Sequence, residues 1–317
     1  MRQFILISTF ILFTFFSFAQ GDSWKYLGQT PPKDIPEVFG PNIVSTKKLE
    51  HSSPAFTTNL KCFFWSAITY PTNENINKIY YCQYENGKWT DARVAKFSGE
   101  YSDNIHVLYK NKLFFSSNRN QDELSDSLRT LHWTLKPNSK IWFIELGDDK
   151  WKEPELFSNP FGKVPKIINL SFSGNGNMYF LSFLKGVTQQ CGIFYAKKKE
   201  IGFLEPQALP ESINSTYQDW TPFIAPDESY MIFSSTRNPL RDDYGDLYIS
   251  YKNNKGDWSR AIYMGDKINT KSQERFPSVS PDGKYLFFTR WTEENGQDIF
   301  WVSADIIDKL KIKATQE

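Results

Sequence analysis

Acidic residues and arginines recur in this chain at matching places beside short apolar segments. Three acids stand just before one kind of segment, three arginines just after a second kind, and two more acids begin a third kind. The eight residues are Asp103, Asp219, Glu274, Arg119, Arg237, Arg290, Asp246 and Asp298. An arginine and a carboxylate can form a bidentate ion pair or bind a polar ligand together, and two carboxylates can supply the acid and base of glycoside hydrolysis.

Two interpretations of these charges are open. In the first, each acid pairs with the arginine of its own repeat and only holds loops in place. In the second, the charges surround a polar binding site on a loop face, where scaffolds usually bind ligands. Arg290 stands two positions earlier in its unit than Arg119 and Arg237 do, so the pattern is not uniform. We predict the second interpretation, with all eight residues at the binding site.

The sequence gives little support for a metal site or a serine hydrolase. Segment 241–246 offers three carboxylates that could ligate a hard cation, but it lacks EF-hand spacing, and a solvated turn is the simpler interpretation. The three histidines, His51, His106 and His132, are scattered along the chain, which disfavours a histidine zinc site. No Gly-x-Ser-x-Gly motif of a serine hydrolase occurs. We therefore predict no metal and no cofactor.

An internal repeat defines the elements that would carry the eight charges. A short apolar strand recurs at intervals of roughly 50 to 65 residues, and a second recurring strand follows each copy. The copies begin at Cys62, Leu113, Met178, Met231 and Leu286, and the strands that follow begin at Ile79, Ile141, Ile193, Leu247 and Ile299. A polar turn with an aromatic residue comes next, as at Trp89, Trp151 and Trp258. We expect each tryptophan to pack across the outer hairpin of its own unit, and four strands per unit predict propeller blades.

The two ends of the chain predict how the propeller closes. The fifth unit ends after its third strand, at 299–304, whereas 36–39 near the start matches the fourth strand of the second unit, 154–157. A strand that is missing at one end and spare at the other indicates a shared blade, which leaves no open sheet edge. The predicted fold is all-β, a propeller of five four-stranded blades closed by an N-terminal strand that completes the last blade. Two β-sandwiches are the alternative.

The start of the chain reads as a secretory signal. Arg2 precedes an apolar run at 4–16 that is too short to span a membrane, and Ser17 and Ala19 suit cleavage before Gln20. We predict a signal peptide at 1–19, one propeller domain at 20–317, and export to the periplasm or beyond. Within the domain the closing strand lies at about 35–40, and the blades span about 48–98, 99–160, 161–212, 213–268 and 269–305.

Composition excludes some partners. The formal net charge is +1 and no basic block occurs, so a nucleic-acid partner is not expected. After signal cleavage no second apolar segment remains that would span a membrane. Cys62 and Cys82 fall on adjacent predicted strands, where a disulfide is conceivable in an exported protein, but buried free thiols are the simpler interpretation.

One repeat resembles a known family. The segment PDGKYLFF at 281–288, followed by DIF at 298–300, is similar to the WD40-like repeat of the TolB propeller family. The first and third units depart from it, with Thr58-Asn59 and Asn175-Gly176 in place of the Pro-Asp turn. The resemblance implies an exported bacterial protein that acts as a scaffold or envelope interaction module. The chain has no room for the α/β domain that precedes the TolB propeller, so a TolB-specific role is not implied.

These observations lead to two functional hypotheses. The first is an exported, non-catalytic propeller that binds a protein or glycan of the cell envelope. The alternative is a glycoside hydrolase-type enzyme, sialidase-like or five-bladed-glycosidase-like, that uses carboxylates on the loop face. An enzyme should hold two carboxyl groups near each other with one pKa raised by burial, whereas a scaffold should pair each acid with its own arginine.

Overall fold

A computed structural model describes residues 23–68, 76–119, 140–147, 151–161, 166–183, 191–238, 245–294 and 296–314. The predicted signal peptide and the 241–244 part of the acidic loop lie outside these residues. Five antiparallel sheets follow one another along the chain and form a five-bladed β-propeller. The predicted fold class and blade number are confirmed.

Twenty-two strands build the blades in the described part of the chain, and each blade begins with its innermost strand. In blade 1 they are β2 (Leu49–Glu50), β3 (Ala55–Phe56), β4 (Cys62–Ile68), β5 (Asn77–Glu85), β6 (Lys88–Trp89) and β7 (Arg93–Val94). Blade 2 has β8 (Asp103–Tyr109), β9 (Lys112–Ser117), β10 (Lys140–Glu145) and β11 (Glu155–Leu156), and blade 3 has β12 (Ile168–Phe172), β13 (Met178–Phe183), β14 (Cys191–Ala196) and β15 (Gln207–Ala208). Blade 4 has β16 (Asp219–Ile224), β17 (Tyr230–Ser235), β18 (Asp246–Tyr251) and β19 (Ile262–Tyr263). Blade 5 has β20 (Glu274–Val279), β21 (Tyr285–Thr292), β22 (Gly296–Ser303) and the N-terminal β1 (Glu37–Val38), and the helix α1 (Asp305–Ala314) follows.

Strand β1 closes the propeller. It pairs with β22 through Glu37 opposite Trp301 and Val38 opposite Phe300, so the first and last strands share a blade as predicted. Phe39, which follows β1, is completely buried in the cluster that joins blade 5 to blade 1. Closure therefore covers the edge of β22 and fills the core at the same junction.

The hydrophobic core is divided among the junctions between neighbouring blades. Side chains alternate along each strand, so Phe63 packs toward blade 5 and Phe64 toward blade 2. Comparable clusters join blades 2 and 3, 3 and 4, and 4 and 5. The apolar triplets of the repeat are thus the segments that hold adjacent blades together.

The tryptophans of the outer turns follow the prediction only in part. Trp89 contacts Phe63 of its own blade, with 5.5 Å between ring centroids. Trp151 instead lies 4.6 Å from Tyr81 and 5.3 Å from Phe64, which belong to the preceding blade. The expectation of packing within one blade is wrong for Trp151, because its ring lies at the junction between blades 1 and 2.

Polar side chains in the linkers add a second connection between blades. Asn269 accepts a hydrogen bond from the Leu247 N–H at 2.7 Å and donates to the Leu247 carbonyl at 3.0 Å, which ties blade 5 to the third strand of blade 4. Asn214 makes the same two bonds to Ile193 of blade 3. Ser45 does so with the Ile299 backbone of blade 5. These linker residues form what we call the latch positions.

Two simpler expectations concern cysteine and membrane crossing. Cys62 and Cys82 are buried and carry free thiols, which confirms the interpretation without a disulfide. Burial is the largest cause that raises the pKa of Cys82 to about 12. Among the described residues no helix is long and apolar enough to cross a membrane.

Candidate functional site

The acids and arginines of blades 2, 4 and 5 form ion pairs within their own blades. Each acid begins the innermost strand, and its arginine lies near the end of the next strand or just after it, at the same end of the sheet. The nitrogen–oxygen distances are 2.8 Å for Arg119–Asp103, 2.6 Å for Arg237–Asp219 and 2.9 Å for Arg290–Glu274. All three acids are 0% exposed, so these pairs are internal to the fold.

Each arginine also binds the linker that enters its blade. Arg237 Nη2 donates to the Ile213 carbonyl at 2.5 Å, and Arg290 Nη2 donates to the Ile268 carbonyl at 2.7 Å. Burial raises the pKa of Glu274, whereas its hydrogen bonds to Thr270 and the Arg290 guanidinium oppose the rise. These contacts match the first interpretation, in which the charges hold loops in place, and a direct ligand contact by the three arginines remains a prediction.

The two acids that begin third strands lie beside these pairs. Asp298 is directly opposite Arg290 in the sheet and accepts a hydrogen bond from Thr292 Oγ1 at 3.0 Å. Asp246 is opposite Ser235 and accepts a hydrogen bond from Asn238 Nδ2 at 2.9 Å. The topology therefore brings all eight predicted residues to corresponding ends of their strands.

The structure adds a fourth acid of the same kind, Glu50 of blade 1, which the sequence analysis missed. Its Oε1 accepts hydrogen bonds from the N–H and the hydroxyl of Thr46, four residues earlier. Glu274 accepts the same two bonds from Thr270, and Asp219 accepts them from Ser215. The shared sequence signal is a latch residue, then Ser or Thr, then an acid four positions on: SxxxD at 215–219, TxxxE at 270–274 and TxxxE at 46–50.

Glu50 differs from the other acids because it pairs with no arginine of the described residues. Ala67 stands directly opposite Glu50 in the sheet, where Arg290 stands opposite Glu274. Oε2 of Glu50 is buried and finds no hydrogen-bond partner within the described ranges, and the residue is 0% exposed. Burial is the largest cause that raises its pKa to about 9, and the neighbouring Asp298 carboxylate raises it further. Glu50 is therefore a protonated carboxyl group near neutral pH.

The innermost strands share a strained backbone position close to these acids. Asn169, Thr221 and Phe276 have positive φ angles of 49°, 49° and 52°. The sheet register of blades 3, 4 and 5 shifts at the same places, which identifies a β-bulge in each blade. Positive φ is unfavourable for a β-branched residue such as Thr221, and such strain collects at functional sites. The bulges redirect the side chains that border the central channel.

Comparison with known proteins supports the fold. No family model matches the chain, and no curated protein matches it by sequence. Similar solved structures include a glycoside hydrolase (10% identity, 87% of this chain and 92% of that chain covered, TM-score 0.50) and an exo-β-1,3-galactanase from Clostridium thermocellum (11%, 84% and 62%, TM-score 0.50). TolB from Acinetobacter baumannii is similar at 13% identity, with 82% of this chain covered and a TM-score of 0.47. The chain spans 55% of the length of that TolB structure, and identities this low establish the fold alone.

These comparisons correct the first functional hypothesis. The two similar structures that reach a TM-score of 0.50, a glycoside hydrolase and an exo-β-1,3-galactanase, are both enzymes. The expectation of a non-catalytic binding propeller is therefore set aside in favour of its alternative. For an enzyme, Glu50 is the residue of interest, because a protonated carboxyl group can act as a general acid.

Proposed function

We propose that the chain is a glycoside hydrolase-type enzyme whose chemistry uses carboxyl groups at the loop face. The observation that carries the proposal is Glu50, a carboxyl group kept protonated by burial beside a second acid, Asp298. A general acid that protonates a glycosidic oxygen must hold its proton near neutral pH, and burial commonly provides this. Glycoside hydrolases usually pair such an acid with a second carboxylate. We assign Glu50 as the acid and Asp298 as its carboxylate partner.

Access to Glu50 sets a requirement for this mechanism. The side chain lies beneath the linker that carries Thr46, whose hydroxyl lies 3.0 Å from Oε1. Lys47 in that linker is exposed, and Thr46 and Lys48 are partly exposed. We propose that the linker moves when substrate binds and that the Glu50 carboxyl group then faces the channel.

We also propose the setting in which this activity occurs. The signal-like segment at 1–19 supports export to the periplasm or beyond, and the PDGKYLFF repeat supports membership of the WD40-like repeats of TolB propellers. The partner is then a glycan of the cell envelope, and the eight predicted charges frame its site. Mass spectrometry of the secreted protein should find Gln20 as the first residue, and an N-terminus at Met1 would contradict export by cleavage.

The activity is tested with a panel of envelope and plant glycans. Purified protein is incubated with each glycan, and new reducing ends are measured. We expect hydrolysis of at least one glycan by the wild type and a loss of at least 100-fold in Glu50→Gln. The control is Lys47→Gln, which changes an exposed residue of the same linker and should leave hydrolysis unaltered. Absence of cleavage across the panel, or full activity in folded Glu50→Gln, would refute the proposal.

A further inference from the structure

Arg275 differs from the arginines of the ion pairs. It follows Glu274 on the innermost strand of blade 5, and its guanidinium carbon lies 5.0 Å from the centroid of the Trp220 ring on the innermost strand of blade 4. In the described part of the chain its side chain forms no ion pair and no hydrogen bond. Burial alone lowers its pKa, to about 10, and no nearby acid counteracts this. The guanidinium is held in place by stacking and lacks an anion.

Arg275 and two residues on the innermost strand of blade 4, Trp220 and Thr221, each carry a polar atom without a partner among the described residues. Arg275 Nε, Trp220 Nε1 and Thr221 Oγ1 are buried and have no hydrogen-bond partner in the part of the chain that the structure describes. A buried donor without an acceptor costs about 1 to 3 kcal/mol, so most buried donors in native proteins have one. Two of these atoms, the Arg275 and Trp220 nitrogens, can only donate. The group that would satisfy them must accept hydrogen bonds.

The acids of the same strands are not available for this role. The carboxylate of Glu274 is bound by Arg290 and Thr270, and that of Asp219 is bound by Arg237 and Ser215. Each of these acids faces the linker at the junction with the preceding blade. The donors at Arg275 and Trp220 therefore call for an acceptor that the described residues do not provide.

We propose that Arg275 and Trp220 bind the carboxylate of an acidic sugar, so that the substrate is a glycan containing uronic acid. The planar guanidinium fork matches a carboxylate bidentately, and stacking on Trp220 fixes the plane of the fork before the ligand arrives. The inference rests on the proposed function for the glycan class. The carboxylate site itself rests only on the unsatisfied donors.

The strand that carries Arg275 lies beside the strand that carries the proposed acid. The His51 ring, next to Glu50 in the chain, lies 5.4 Å from the Phe276 ring, next to Arg275. The innermost strands of blades 5 and 1, which carry Arg275 and Glu50, are thus neighbours around the channel. A sugar held by its carboxylate at Arg275 would place a neighbouring glycosidic bond toward blade 1.

Binding is measured apart from cleavage. Isothermal titration calorimetry of trigalacturonate, the neutral galactose trisaccharide and its sulfated form is performed with the wild type, Arg275→Gln and Arg275→Lys. We expect the wild type to prefer trigalacturonate over both other probes. Arg275→Gln should weaken this binding at least 30-fold, and Arg275→Lys, which keeps the charge but loses the fork, at least 5-fold. Lys271→Gln removes an equal charge from the exposed linker of the same blade and should change the affinity by less than about 2-fold.

The outcomes separate this inference from the proposed function. Binding of trigalacturonate that depends on Arg275, in a protein that cleaves no glycan, would support the carboxylate site and refute the enzyme. Cleavage of neutral glycans that Arg275→Gln does not change would support the enzyme and refute the carboxylate site. Equal binding of the three trisaccharides, preference for the sulfated probe, or no detectable binding of trigalacturonate by the wild type would overturn the inference. Thermal unfolding confirms that each variant is folded, and removing an unpaired buried charge should not lower the melting temperature.

Discussion

At the scale of single residues, the same acid position has different chemistry in different blades. Glu274 is neutralised by an arginine directly opposite it, whereas Glu50 faces Ala67 and is neutralised by a proton. An ion pair and a protonated carboxyl group both avoid an isolated buried charge. Only the protonated group can also donate a proton to a substrate. A change of one opposing residue, from arginine to alanine, thus separates a structural acid from a candidate catalytic one.

Glutamine substitution at the two positions should therefore have opposite effects. Glu50→Gln replaces a group that is already neutral, so at pH 7 the free energy of unfolding of the variant should equal or exceed that of the wild type. Glu274→Gln leaves Arg290 without its partner in a buried site, and we expect a loss of about 3 to 5 kcal/mol. Urea unfolding followed by tryptophan fluorescence measures both. Equal destabilisation by the two substitutions would show that Glu50 is ionised in the folded protein.

The pH dependence of stability gives a second test of Glu50. Its pKa is about 9 in the folded chain and 4.5 in the ordinary unfolded state, so the folded protein retains a proton that the unfolded chain releases. The stabilisation is complete below the unfolded pKa and is lost as the pH rises through the folded value. The free energy of unfolding of the wild type, relative to Glu50→Gln, should fall between about pH 5 and 9, by up to about 1.4 kcal/mol per pH unit. Parallel stability curves for the two proteins would contradict the raised pKa.

At the scale of elements, the short linkers between blades perform two tasks in adjacent residues. The latch residue binds the third strand of the preceding blade, and the next residue, Ser or Thr, binds the acid that begins the following blade. In blade 5 these residues are Asn269 and Thr270, and in blade 4 they are Asn214 and Ser215. The position of each acid is consequently defined by two blades at once. This arrangement explains why the acids are so completely buried.

Removal of a latch should loosen one junction more than the rest of the fold. Asn269→Ala leaves the backbone N–H of Leu247 without its partner in a fully buried site, at a cost of about 1 to 3 kcal/mol. The Leu247 carbonyl loses one bond but keeps the one from the Met264 N–H. Hydrogen exchange should increase first at Leu247 and along β18. The exposed Asn253→Ala, in the outer turn of blade 4, is the matched control. Uniform acceleration across all five blades would show that the latch is not local.

At the scale of the whole molecule, closure by β1 holds the propeller together at one junction. β1 supplies the fourth strand of blade 5, and Phe39 and Tyr26 fill the core between blades 5 and 1. Without these residues the edge of β22 would offer unpaired backbone groups to other chains. The integrity of the ring of blades therefore depends on a segment of few residues.

Deletion of residues 20–47 should then make the fold prone to association. We expect broader, less cooperative unfolding and concentration-dependent oligomers, because both the β22 edge and an apolar surface become exposed. Size-exclusion chromatography with light scattering and calorimetry measures these changes. A protein that lacks only residues 20–22 serves as the control. A deletion variant that stays monomeric and unfolds in one sharp transition would contradict the role of β1.

Much of this architecture could be predicted from the sequence, since the apolar triplets beginning at Met231 and Leu286 repeat with their turns. The correspondence of Glu50 to the other acids could not be predicted. Ala55 and Phe223 occupy equivalent positions in blades 1 and 4, but four residues separate Glu50 from Ala55 and three separate Asp219 from Phe223. This extra residue hides its correspondence to the other acids. The sequence alone could also not decide between ion pairs and ligand contacts, since burial and strand register determine whether Arg237 contacts Asp219 or a ligand. Unsatisfied donors such as Arg275 Nε become visible only in three dimensions.

Closure by the first strand has a consequence for the order of folding. The latch contact of Ser45 with Ile299 joins residues 254 positions apart, and closing a loop of that length costs about 5 kcal/mol of chain entropy. Strand β1 is synthesised long before β22 and must wait, unpaired, until the last blade has appeared. Pulse-labelling hydrogen exchange during refolding should protect β9 and β17 early and the amides of β22 last. The slowest step of folding is then the pairing of β1 with β22. A chaperone that covers β1 until β22 has formed would prevent association at this step.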